Sequence, residues 1–182
     1  FDVIIGNPPY QLNDKGGTGS SAIPLYNLFI QQAKKLRPRY LSMIVPSRWF
    51  AGGKGLDDFR NDMLIDNRLR KIIDFPISAD CFPGVSIKGG VCYFLWDRDN
   101  PGLCQVTTVR GDSISTMERP IREKGSEIFI RFNEAITIYR KVQSKNEDSI
   151  VGQISSRKPF GFASTFSNYK SKPFHECIRI YA

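Results

Sequence analysis

The chain has 182 residues, 41% of them hydrophobic, a net charge of +8 and a pI near 9.4. That is enough for one full globular domain, or one domain and part of another, with a real core. Four cysteines without a CxxC pair and one histidine indicate neither a zinc site nor a disulfide framework. With no signal peptide and no apolar run near the roughly 18 residues of a membrane span, the expectation is a cytoplasmic protein with reduced thiols and no membrane partner.

Phe1 to Ile5 is mostly apolar and β-branched without strict alternation, the pattern of a short strand buried on both faces in a parallel sheet. Gly6 ends it, and Asn7-Pro8-Pro9-Tyr10 follows at once. In an open α/β sheet, ligands bind in the loops past the carboxyl ends of the strands. Pro8 and Pro9 lack N–H groups and have restricted φ, so the Pro8 carbonyl is stiffly held with no local donor competing for it. The Asn7 side-chain oxygen is a second acceptor, and Tyr10 offers a flat aromatic face. Two fixed acceptors beside a stacking plate form a socket for a planar amine.

This string after an apolar strand resembles the catalytic motif of N6-adenine-specific DNA methyltransferases, in the version found in Type II-like bacterial restriction–modification systems. The resemblance implies S-adenosylmethionine as cofactor, double-stranded DNA as partner, and a target adenine flipped out of the helix. It implies that the exocyclic amine donates to the Asn7 side-chain oxygen and the Pro8 carbonyl, with Pro9 stiffening the turn and Tyr10 stacking on the base. Catalysis then comes from positioning and fixed dipoles rather than from a strong base. Protein-glutamine and some RNA methyltransferases use the same four letters and are the alternative enzymes. A DNA-binding module that kept the fold without the activity is the non-enzymatic alternative; retention of Asn7 speaks against it.

Residues 11–23 form a polar, Gly/Ser-rich loop beside the motif, either a lid over the flipped base or a surface loop. Pro24 is expected to open a helix with Leu25, Leu28, Phe29, Gln32 and Leu36 on one face. Tyr40 to Val45 reads as the next strand and completes a parallel crossover. Arg48 and Trp49 lie just past it, on the same edge as Tyr10. Arg48 is a candidate for a phosphate; Trp49 either stacks on a base or packs inward. A second helix carries Leu56, Phe59, Met63 and Leu64 on its buried face, and Arg70 to Phe75 and Val91 to Trp96 are the third and fourth strands.

Residues 76–90 make a second long loop. In related adenine methyltransferases an aromatic residue here, often in Phe-Pro, packs against the flipped adenine. The resemblance therefore implies Phe82, which precedes Pro83, as the second wall of the socket, and Lys88 is a further DNA-contact candidate. The resemblance also implies the fold class: α/β, the second half of a Rossmann-like class I methyltransferase sheet. The Gly-rich loop and acidic ribose partner of the cofactor-binding half are not in this sequence, so its cofactor contacts should come from the Asn7–Tyr10 loop. The chain starts at Phe1, inside a strand, and reads as a piece of a longer protein.

Leu103 to Arg110, Ser113 to Glu118 and Glu127 to Phe132 are expected as short antiparallel strands, and Asn133 as the cap of a helix running to about Lys145. Residues 151–182 hold 5 basic and 1 acidic side chains, the most basic stretch per residue. There Arg157, Lys158, Lys170 and Lys172 interleave with aromatics, a mixture that suits nucleic acid. The expected division is a catalytic half at 1–98, an α+β extension and linker at 99–149, and the start of a target-recognition region at 150–182. A nuclease domain or subunit of the same restriction–modification system is an expected partner. The 86 residues after Trp96, with their basic aromatic end, favour DNA over a protein substrate.

Overall fold

A computed structural model describes residues 1–12, 23–53, 55–148, 150, 154 and 167. Six strands form one sheet: β1 (Val3–Gly6), β2 (Tyr40–Pro46), β3 (Leu69–Phe75), β4 (Val91–Asp97), β5 (Cys104–Arg110) and β6 (Ser113–Arg119). Their order in space is β1-β2-β4-β3-β5-β6. β1 runs parallel to β2, and β3 parallel to β5, while β4 is antiparallel to both β2 and β3. Four strands therefore point one way and β4 and β6 the other, which is the expected α/β class.

The core follows from alternation. Leu41, Met43 and Val45 of β2, Phe94 and Trp96 of β4, and Cys104 and Val106 of β5 turn one way and are buried. Helices α1 (Tyr26–Lys35) and α2 (Asp57–Ile65) contribute to the same apolar cluster. In α2, Phe59, Met63 and Leu64 are buried, with Leu56 just before them, as their helical spacing requires.

Several expectations need correction. Leu103 to Arg110 is not a purely antiparallel strand: β5 pairs antiparallel with β6 but parallel with β3. β1 is not buried on both faces: among the described residues it pairs with β2 alone, Ile4 packs on the core, and Val3 and Ile5 are 51% and 79% exposed. In α1 the buried stripe is Tyr26, Ile30 and Ala33, while Leu28, Phe29 and Leu36 are exposed. The helix is apolar on more than one side, and the stripe that fits the sheet surface, with Tyr26 edge-on to Phe59, is the one that packs. Pro24 lies before this helix rather than in its first turn, in a single antiparallel bridge with Gln11. Glu127 to Phe132 is an irregular segment, not a strand.

That segment is held by side chains. The Phe129 N–H donates to the Phe50 carbonyl, and the Arg131 guanidinium pairs with the buried carboxylate of Asp74. Helix α3 (Asn133–Gln143) follows, but Asn133 does not cap it. Its amide is buried instead, donating to the carbonyls of Val106 and Ser115 and accepting from Arg119 Nε, so it ties α3 to β5 and β6. The sheet continues through residue 98 into β5 and β6. Phe1–Ser144 form one compact unit, and Lys145–Ala182 are a second. No helix among the described residues is long and apolar enough to cross a membrane.

Candidate active site

β1, β2 and β3 end on one edge of the sheet, and β4 begins there, with Pro46 opposite Val91. Four connections therefore meet: Asn7–Tyr10 after β1, Ser47–Phe50 after β2, the loop from β3 to β4, and the turn from β5 to β6. Asn7 is exposed, and its side chain has no hydrogen-bond partner among the described residues, so its amide oxygen is open to a ligand. Pro8 is buried, which fixes the direction of the turn. The Leu25 N–H donates to the Tyr10 carbonyl at 3.1 Å, anchoring the end of the motif to the residue before α1.

Tyr10 is half-buried against a cavity of about 270 Å³, which Tyr26, Pro46, Arg48, Ile87 and Lys88 also line. Burial raises the Tyr10 hydroxyl above its ordinary pKa, and the nearby thiols of Cys81 and Cys92 push the same way, so the ring stays neutral. Arg48 and Lys88 are exposed at this cavity, and neither has a carboxylate within ion-pair distance among the described residues. Tyr10, Arg48 and Lys88, drawn from three separate loops, are thus brought together.

Trp49 and Phe82 are not. Trp49 is 0% exposed and packs edge-on against Phe50 and Phe59, so it is a core residue and not a DNA contact. The turn after β2 carries one side chain inward and the previous one outward, and the large apolar ring takes the inward place. Phe82 is half-buried in the loop after β3, outside the Tyr10 cavity, and no ring pair joins it to Tyr10 among the described residues. Its N–H donates to the Ser78 carbonyl. The Ser78 hydroxyl clasps the same loop, donating to the Val85 carbonyl and accepting from the Ile87 N–H, both at 2.8 Å. Gly90 returns the loop to β4 with φ of +81°, where any side chain would collide with the carbonyl oxygens of Phe75 and Pro76. Residues 13–22 of the expected lid, and Arg157, Lys158, Lys170 and Lys172, lie outside the described residues.

Two features of the site were not foreseen from sequence. Tyr26 lines the cavity from α1; its hydroxyl is buried near the Trp49 backbone without a well-formed hydrogen bond, and burial raises its pKa. Asp74, 0% exposed at the end of β3, accepts from Ser47 Oγ at 2.7 Å and from Arg131 Nη2 at 2.8 Å. It thereby ties the turn that presents Arg48 to the segment after β6. The signal was a single acid in an otherwise apolar strand end, Ile72-Ile73-Asp74-Phe75, since a buried carboxylate needs a cationic or hydrogen-bonding partner. Beside it, burial pushes the Cys92 thiol up to about 12, with the Asp74 charge adding to the shift, which leaves this thiol inert.

Comparison with known proteins adds to this geometry. Residues 1–82 match the family described as Eco57I restriction-modification methylase. The chain is 36% identical over 143 residues to an "uncharacterized adenine-specific methylase" of Mycoplasma pneumoniae, covering 78% of this chain and 34% of that protein. Among solved structures it is similar to the methyltransferase subunit of a type I restriction–modification system from Streptococcus thermophilus, at 14% identity and a TM-score of 0.42, covering 82% of this chain and 33% of that one. It is also similar to the type IIG restriction endonuclease BpuSI, at 14% identity and a TM-score of 0.46, covering 65% and 19%. The chain is thus similar to a restriction–modification methylase family over residues 1–82 and to an adenine-specific methylase over 143 residues, and it spans about a third of the length of the curated relative it matches.

Proposed function

We propose that this chain is the target-base half of an enzyme that methylates the N6 amine of a flipped adenine in DNA. The observation that carries the reading is the exposed Asn7 and the rigid Pro8-Pro9 turn, set at the carboxyl end of β1 and anchored beside a Tyr10 cavity with two cations unpaired among the described residues. The Asn7 oxygen and Pro8 carbonyl accept the two amine hydrogens and so aim the nitrogen lone pair. Tyr10 stacks on the base, while Arg48 and Lys88 hold neighbouring phosphates. S-adenosylmethionine supplies the methyl group when bound. The exposed Asn7 loop fits the methyl-bearing end of that cofactor, whereas the chain carries no Gly-rich turn with an acidic ribose partner to grip the rest. Methyl transfer accordingly needs a cofactor-binding half in addition to residues 1–182.

The proposed division of labour is catalysis in 1–98, bracing in 99–149 and target recognition beginning at 150. The setting is a cytoplasmic restriction–modification system, with a nuclease domain or subunit as partner. Phe82 remains the proposed second aromatic wall, reached when the base enters. Labelling with methyl-tritiated cofactor tests the reaction class. In the catalytically complete protein, digestion of DNA should return the label as N6-methyladenine. Label on glutamine of a protein substrate, with none in DNA, would select the protein-methylating alternative.

A further inference from the structure

We propose that the turn between β5 and β6 is a DNA-backbone contact made by Arg110. It continues a line of cations that begins at the Tyr10 cavity. The inference rests on the methyltransferase reading, because that reading is what places DNA at this edge.

The topology sets the line. In spatial order along the carboxyl edge come Tyr10 after β1, Arg48 after β2, Lys88 before β4, the turn after β3, and Arg110 at the end of β5. The Gly111 N–H donates to Asp80 Oδ2 at 2.8 Å, which fastens the β5–β6 turn to the turn after β3 and so to the same edge. Neighbouring strands lie about 4.8 Å apart, so the three steps from β2 to β5 span roughly 14 Å. One DNA strand rises about 3.4 Å per phosphate, so that span passes about four phosphates.

The charges are open to such a partner. Arg48, Lys88 and Arg110 are exposed and have no carboxylate within 4.0 Å among the described residues. On the opposite edge Lys34 and Arg68 pair with Asp66, and Arg98 pairs with Asp99, while Arg37 and Arg39 are exposed without an ion pair among the described residues. The carboxylates near Arg110 are Asp80, Asp112 and Glu134. Asp80 is occupied by the Gly111 N–H, Asp112 is exposed beside the turn, and Glu134 is within Coulombic reach without forming an ion pair. The Arg110 guanidinium carbon sits 5.0 Å from the centre of the Phe132 ring. That contact pre-orders the side chain, so less conformational freedom is lost when it takes a phosphate.

The test is the salt dependence of DNA affinity, measured on the whole chain by fluorescence anisotropy with short duplexes of differing sequence. Arg110→Gln should lower the magnitude of the slope of log affinity against log salt by about 0.9. It should weaken all the duplexes alike. Arg110→Lys should keep the slope, and Arg98→Gln, on the opposite edge, should leave it unchanged. Melting temperatures matched to the parent chain show that the variants are folded. An unchanged slope in Arg110→Gln, an equal loss in Arg98→Gln, or no binding by the parent chain at low salt would overturn the proposal. Failure here alongside a methylation defect in Asn7→Ala removes the Arg110 contact alone; full methylation by Asn7→Ala removes the reading beneath it.

Discussion

Tyr10 does two jobs with different chemical demands. Its carbonyl anchors the motif to Leu25, which any residue could supply, while its ring faces the cavity, which needs an aromatic. Tyr10→Ala should therefore weaken capture of a flipped base by about 1–3 kcal/mol, the range for base–aromatic stacking. Tyr10→Phe should be mild. A 2-aminopurine at the target position reports both through its emission, and an equal response from Phe82→Ala would place that ring on the base. Asp66 tests electrostatics away from the site. Burial opposes its charge, but Arg68, Lys34 and Trp96 bond to it and hold its carboxyl well below the usual carboxylate range. A depressed folded pKa means the unfolded chain binds the proton first. The stabilisation is thus complete above the ordinary aspartate value of about 4 and is lost as pH falls below it. Asp66→Asn should destabilise the protein at neutral pH and flatten that acid limb in urea titrations. The socket residues were legible in sequence because their chemistry is local. Asp66 and Asp74 were not, because, Arg68 apart, their partners lie 27 to 57 positions away.

Among the elements, α1 separates what periodicity can and cannot say. Its length and position were readable, but an apolar stripe on either of two sides satisfies the same pattern, and only the sheet surface decides between them. Ile30→Ala, at the packed face, should cost about 2–5 kcal/mol. Leu28→Ala, on the exposed face, should change stability by no more than about 0.5 kcal/mol. Urea midpoints for the two variants give the comparison directly, and the reverse order would mean that the helix is turned. In sequence the segment 127–132 has the pattern of a strand, since Ile128, Phe129 and Ile130 are β-formers. It is instead a brace, with Phe129 at 4.4 Å from the Phe50 ring and Arg131 on Asp74. Arg131→Met strands a buried carboxylate and should cost about 3–5 kcal/mol. Asp74→Asn with Arg131→Met should recover much of that loss.

At the scale of the molecule, the parallel crossover from β1 to β2 was readable from apolar runs and proline stops, whereas the parallel pairing of β5 with β3 was not. A strand's apolarity records what it can bury, not which neighbours it has. The exposed Val3 and Ile5 of β1, and the missing cofactor signature, lead to one expectation for the chain alone: calorimetry with S-adenosylmethionine should show no stoichiometric micromolar complex. The central claim is that Asn7 holds the reacting amine, and the most direct measurement is single-turnover methyl transfer by Asn7→Ala in the catalytically complete protein, with DNA affinity measured alongside. Loss of one preorganised hydrogen-bond partner should slow transfer by about a hundredfold or more. DNA affinity should stay near that of the parent, since Arg48, Lys88 and the other cations remain. Methylation of adenine at close to the parent rate would contradict the account.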